Sequence, residues 1–182
     1  MPTVRSVSQH QCELVSKDVE TALRQEISSL PVPALIRLAA DLLQTLGYHR
    51  VSILDRHFLR GRRSQAGAEI TAKTGTRLTP VKIIAQVKPV KYTIQRNNVD
   101  ELAGVSLRHG ARYGFLITTS TISRAARSVA EESCAVPLCL IDGQELVRML
   151  IRHRLGVKPK TLKTYELDRS FFSELSRRAN AS

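Results

Sequence analysis

The sequence predicts an α/β fold in which a mixed β-sheet is flanked by helices. Three observations predict it. An amphipathic helix pattern precedes Gly47, three segments of strand character then follow one another up to Lys88, and from Asn98 onward helices and strands alternate. With 182 residues, 42% of them apolar, the chain is long enough for one domain with a proper core and too apolar to be disordered throughout.

Residues 13–29 read as a short polar helix. Pro31 and Pro33 then break the chain, and a new helix starts at Pro33, where a missing N–H costs nothing. Leu35, Leu38, Ala39, Leu42, Leu43 and Leu46 recur at helical spacing, and Gly47 is a natural stop. Tyr48–Leu54 is the first strand. The second lies around Ala68–Ala72, after the loop GRRSQAG. Val81–Lys88 is the third and strongest, rich in Val and Ile. Thr74-Gly75-Thr76 with Pro80 fits a hairpin-like connection between the last two.

The later elements are a helix over Asn98–His109, a strand over Tyr113–Thr118 and a helix over Ser123–Ser133 that Ser120 or Thr121 is available to cap. A strand over Leu138–Ile141 and a helix over Gly143–His153 follow, with Asp142 as the turn residue between them. Beyond Gly156 the chain turns basic and polar. Residues 158–167 read as a linker and 168–179 as a weak terminal helix. The expected organisation is a helical extension (1–31), a main domain (32–157) and a basic tail with its helix (158–182). There is no internal repeat.

The charge is unevenly placed. The formal net charge is +12, and residues 48–160 hold 20 Lys and Arg against 8 Asp and Glu, while the rest of the chain holds 8 of each. Concentrated positive charge points to a polyanion partner. Arg56, Arg60, Arg62 and Arg63 form the densest run, opposed only by Asp55, and with Lys91 they are the candidate phosphate contacts. Aromatic residues are four Phe and four Tyr with no Trp, which disfavours a stacking platform for single strands. Duplex or branched DNA, gripped through its phosphates, fits better.

Other classes are excluded more simply. No apolar run approaches the roughly 20 residues of a transmembrane helix, and the N-terminal stretch lacks the apolar segment of a secretion signal. A cytoplasmic protein with no membrane partner is expected. Cys12, Cys134 and Cys139 match no zinc spacing and read as small core residues, the last two flanking a predicted buried strand. His10, His49, His57, His109 and His153 are scattered and suggest no metal cluster. Gly61 and Gly67 match no nucleotide loop, so no small-molecule cofactor is expected.

The chemistry concentrates on the third strand. Strand alternation puts Ile84, Gln86 and Lys88 on one face and Ile83, Ala85 and Val87 on the other. A lysine on an otherwise apolar strand needs an anion: a phosphate, a hydroxide held at a metal, or a carboxylate from the adjoining strand. Glu69 lies in that adjoining strand. A carboxylate, an amide carbonyl and an ammonium would then converge, the set that phosphodiester hydrolysis uses with Mg²⁺. The bland alternative is that Lys88 snorkels to solvent at the strand end and pairs weakly with Glu69.

Five stretches tip the balance: LLQTLGY, GRRSQAGAEITA, IIAQVKPVKY, VDELAGVSLRHGARYGFLITTSTISRAARSVAEE and LIDGQELVRML, in this order. Over residues 34–156 they resemble the Mrr-type catalytic domain of the PD-(D/E)xK nuclease superfamily. The resemblance implies a restriction-endonuclease-like fold and a metal-dependent endonuclease using Mg²⁺ or Mn²⁺. Gln86 and Lys88 match the family's Gln-x-Lys, and Glu69 stands where the family has its metal-binding Asp. The implied roles are metal ligands for Glu69 and Gln86, and water activation for Lys88. Gln65 replaces a further Asp common in the glycine-rich turn, Ile36 occupies the place of a frequent Glu in the first helix, and Asp41 is no obvious substitute. The site is therefore short of carboxylates, and a DNA-binding module that has lost cleavage is the alternative. A third reading is a scaffold whose basic face docks on an acidic protein or RNA. The resemblance further implies a homodimer, since cutting both strands takes two sites.

Overall fold

The computed structural model describes residues 4–54, 68–76, 78–132, 135–160 and 167–179. Helix α1 (Val4–Ser29) starts earlier than the predicted 13–29, its first turns being polar and weakly periodic in sequence. Its C-terminal half places Leu23 and Ile27 in the core. Pro31, extended at φ −63°, caps α2 (Val32–Thr45), which buries Leu35, Ile36, Ala39, Ala40, Leu42 and Leu43. Gly47, at φ +89°, takes the left-handed conformation that reverses the chain into the sheet.

The sheet has five strands in the order β1 (His49–Leu54), β2 (Ala68–Gly75), β3 (Pro80–Lys88), β4 (Tyr113–Thr118) and β5 (Leu138–Ile141). The first three pair antiparallel, and β3–β4 and β4–β5 pair parallel. The mixed sheet flanked by helices is the fold the sequence predicts. Antiparallel pairing suits the short turn at Gly75, while the parallel pairs need the crossover helices α3 (Arg96–Arg108) and α4 (Arg124–Glu132). Helices α5 (Gly143–Arg152) and α6 (Arg169–Ala179) complete the order.

Strand alternation divides the core into two layers. Ala68, Ile70, Ala72, Ile83, Ala85 and Val87 pack with α2 and with Leu146, Val147 and Leu150 of α5. Ile84 points the other way, into Val99, Leu102 and Val105 of α3 and Ala126 and Ala130 of α4. Lys88 and Gln86 share the face of Ile84, so they lie beneath α3. No helix among the described residues is long and apolar enough to cross a membrane.

Two local expectations are corrected. The α4 cap is Ser123, whose Oγ accepts from Ala126 N at 3.2 Å, because the helix begins at Arg124 and Ser123 is the residue immediately before it. Cys139 is exposed rather than in the core, because β5 is an edge strand and only its final residue, Ile141, is buried. Cys134 lies outside the described residues.

Candidate active site

Glu69 stands directly opposite Gln86 in the β2–β3 ladder. Directly opposed residues project from the same face, and Lys88, two positions along β3, shares it. The three predicted site residues are thus brought together on one face of adjacent strands. Gln86 is 2% and Lys88 5% exposed, whereas Glu69 keeps 31% of its side chain open. The difference follows from the layout: α3 packs over β3 and β4 and α4 over β5, so β2 lies toward the uncovered side.

Lys88 therefore does not snorkel, and its carboxylate partner is not the strand neighbour Glu69. It is Glu101, from the middle of α3. Glu101 uses both oxygens: Gln86 Nε2 donates to Oε1 at 3.0 Å and Lys88 Nζ donates to Oε2 at 2.6 Å. Its placement follows from how α3 begins. The Ile94–Ile122 bridge anchors the approach, and Gln95 N donates to Asn98 Oδ1 at 3.1 Å in the first turn. From that fixed start, Val99, Leu102 and Val105 face the core, and Glu101 borders them over Gln86 and Lys88. The backbone of Lys88 is also pinned, since its carbonyl accepts from the buried Thr118 Oγ1 at 2.8 Å.

Glu69 has its own companion from the end of α3. His109 Nε2 lies 3.4 Å from Glu69 Oε2, and the His109 carbonyl accepts from Lys82 Nζ at 2.6 Å. Sequence reasoning missed both Glu101 and His109. Glu101 stood in view in the Glu-Leu-Ala-Gly stretch, but nothing in helical spacing says which sheet residue a helix side chain will meet.

One atom in the site stands without a partner. Gln86 Oε1 is buried and accepts no hydrogen bond. A buried orphan acceptor costs free energy unless something fills its place. A hard cation suits it, since Mg²⁺ and Mn²⁺ take carboxylate and amide oxygens. Glu69 and Gln86 Oε1 fit such an ion. Among the described residues no group of three or more His, Cys, Asp or Glu is placed to hold a metal ion.

The remaining predicted residues are placed as follows. Lys91 is exposed between β3 and α3. Arg56, Arg60, Arg62, Arg63 and Gln65 lie outside the described residues, in the segment that enters β2 one residue before Glu69. Ile36 is buried in the α2 layer of the core, and Asp41 is exposed on α2. Asp142 is more than a turn residue: its Oδ1 caps α5 by accepting from Gln144 N and Glu145 N at 3.0 and 2.9 Å, and its Oδ2 pairs with Arg127.

Residues 27–150 match the Mrr_cat restriction endonuclease family. The chain belongs to that family. The matched region runs from the end of α1 to α5, so Glu69, Gln86, Lys88, Glu101 and His109 all lie in the Mrr_cat domain. The type IV methyl-directed restriction enzyme EcoKMrr of Escherichia coli (strain K12) is 31% identical over 91 residues, which are 50% of this chain and 29% of that protein. The DNA modification-dependent restriction endonuclease AspBHI aligns with 77% of this chain and 36% of its own, at 18% identity and a TM-score of 0.53. That likeness shows the fold of the Mrr_cat domain. The MspJI restriction endonuclease in complex with a 27-mer oligonucleotide aligns with 84% of this chain and 33% of its own, at 20% identity and a TM-score of 0.46. The chain thus spans about a third of the length of each of these proteins.

Proposed function

We propose that the protein is a metal-dependent DNA endonuclease of restriction type. The observation that carries the proposal is the convergence of Glu69, Gln86 and Lys88 on one sheet face, with the buried Gln86 Oε1 unpartnered beside a partly open carboxylate. Family membership supports the same reading.

Glu69 and Gln86 would hold Mg²⁺ or Mn²⁺, which when bound shields phosphate charge and lowers the pKa of water. The rest of the chemistry belongs to the chain. Lys88 has three N–H donors, and Glu101 takes one of them. The others are available to orient the attacking water and to meet the charge that builds on the phosphate. Glu69, on the open side of α3, marks where the scissile phosphate enters. Arg56, Arg60, Arg62 and Arg63, which lead the chain into β2, and Lys91, exposed after β3, would grip flanking phosphates of duplex or branched DNA. Two copies would act together to cut both strands.

One observation favours a second reading, a DNA-binding module that no longer cuts. Glu69 is the sole carboxylate among the expected ligands, and Ile36 lies in the core instead of offering another. Cleavage in Mg²⁺ or Mn²⁺ separates these two readings. Salt-insensitive binding to duplex DNA would remove both and leave a scaffold with a basic face.

A further inference from the structure

The second carboxylate at the site comes from α3, and nothing in the pattern of strand residues announces it. We infer that Glu101 is a positioning residue for metal binding: it acts through Gln86 and Lys88 and sets which end of the Gln86 amide faces the ion. The inference rests on the nuclease reading of the site and adds the residue that holds the site in its working state.

The two ends of an amide point apart. With Nε2 held by Glu101 Oε1 at 3.0 Å, the Gln86 carbonyl oxygen is turned away from that carboxylate and left without a protein partner. Turned the other way, the amide would set its oxygen against a carboxylate oxygen, which is repulsive. So the charge of Glu101 selects the orientation in which Gln86 offers an acceptor. The same carboxylate neutralises Lys88, whose ammonium is buried and would otherwise repel an incoming cation at close range. Both effects raise cation affinity without Glu101 touching the ion. Glu101 itself is 45% exposed. The wider pattern agrees: α3 also supplies His109, which contacts Glu69, so one helix braces all three groups.

The test is Mn²⁺ binding to the full chain without DNA, read from the electron paramagnetic resonance signal of free Mn²⁺. Glu101→Gln keeps the shape and removes the charge. It should weaken Mn²⁺ binding by about 10–100-fold, the usual loss when a residue behind the ligands is removed. Gln86→Leu should weaken it comparably. In the Gln86→Leu background Glu101→Gln should add less than it does alone, since the amide is gone and only the neutralisation of Lys88 remains to be lost. A merely structural role would lower the melting temperature of Glu101→Gln and leave its Mn²⁺ affinity at the parental value. That result overturns the inference while leaving the nuclease reading intact. Full additivity of the two substitutions also overturns it. A parent that binds no Mn²⁺ at all overturns both. Should Glu101→Gln not fold, Glu101→Ala reads the same point, because it too removes the carboxylate that holds Gln86 and Lys88, at a side chain that is 45% exposed.

Discussion

Glu69 and Gln86 face each other across the β2–β3 ladder, one a partly open carboxylate and the other a buried amide whose oxygen has no partner. This pairing joins an exposed acid, able to meet substrate, to an acceptor that only something entering the site can satisfy.

The first prediction concerns the ligand itself. Glu69→Ala should abolish cleavage, and Glu69→Asp, which supplies the residue that the resemblance implies at this position, should keep or raise the rate. DNA affinity should stay within about a few-fold in both, because phosphate contacts elsewhere supply most of it. Initial nicking rates and filter binding, measured on the same preparations, check this. A Glu69→Ala protein that cuts as well as the parent removes Glu69 from the site.

The second concerns the metal. A set of one carboxylate and one amide oxygen should hold Mg²⁺ weakly, since that ion demands near-ideal octahedral geometry and dehydrates reluctantly. Nicking should be stronger in Mn²⁺, which accepts the same oxygen donors with less strict geometry. Rates at matched concentrations of the two ions decide it, and faster turnover in Mg²⁺ goes against the ligand set described.

The third concerns the basic segment. Affinity for duplex DNA should fall steeply with salt, with a log–log slope of about −0.9 per phosphate contact. Replacing Arg60, Arg62 and Arg63 by Ala should weaken binding alike on all sequences and flatten the slope. A triple variant that binds like the parent reduces this stretch to a solvated surface.

The fourth concerns the turn behind the site. A Cβ at Gly143 would collide with the Thr119 carbonyl oxygen and lie 2.8 Å from its carbon, in the residue that follows Thr118, whose hydroxyl holds the Lys88 backbone. Gly143→Ala should cost about 1–3 kcal/mol, as overpacking usually does. That corresponds to a melting temperature lower by about 2–4 °C per kcal/mol in a chain of this size. Thermal unfolding followed by circular dichroism reads it. Unchanged melting would mean the turn gives way freely.

The fifth concerns Asp142, which caps α5 and pairs with Arg127 of α4. Asp142→Ala should destabilise by about 0.5–2 kcal/mol, the range for loss of a helix cap, and Asp142→Asn should retain most of that. Urea midpoints at constant slope provide the measurement. Equal loss in both variants would assign the effect to the Arg127 pair instead.

Much of this molecule was legible in one dimension. The face shared by Ile84, Gln86 and Lys88 follows from strand alternation, and the turn at Gly75 then brings Glu69 into line with Gln86. What was hidden is tertiary. Glu101 belongs to a helix whose own periodicity says only that it borders the apolar stripe. Its meeting with Lys88 is decided by how α3 lies across the sheet. His109 reaches Glu69 for the same reason, from the capping position of α3. Cys139 was misread because an edge strand and a central strand look alike in four residues, and only the strand order distinguishes them. The early start of α1 escaped because polar turns give no periodic signal.

The most direct measurement of the central claim is conversion of supercoiled plasmid to nicked and linear forms by the parent and by Lys88→Ala, side by side, in Mn²⁺, in Mg²⁺ and in chelator. The account predicts metal-dependent nicking by the parent, none in chelator, and none by Lys88→Ala although that variant still binds DNA. Cleavage that survives in Lys88→Ala, or a parent that binds DNA yet leaves supercoiled, linear, methylated and branched substrates intact with either ion, contradicts it.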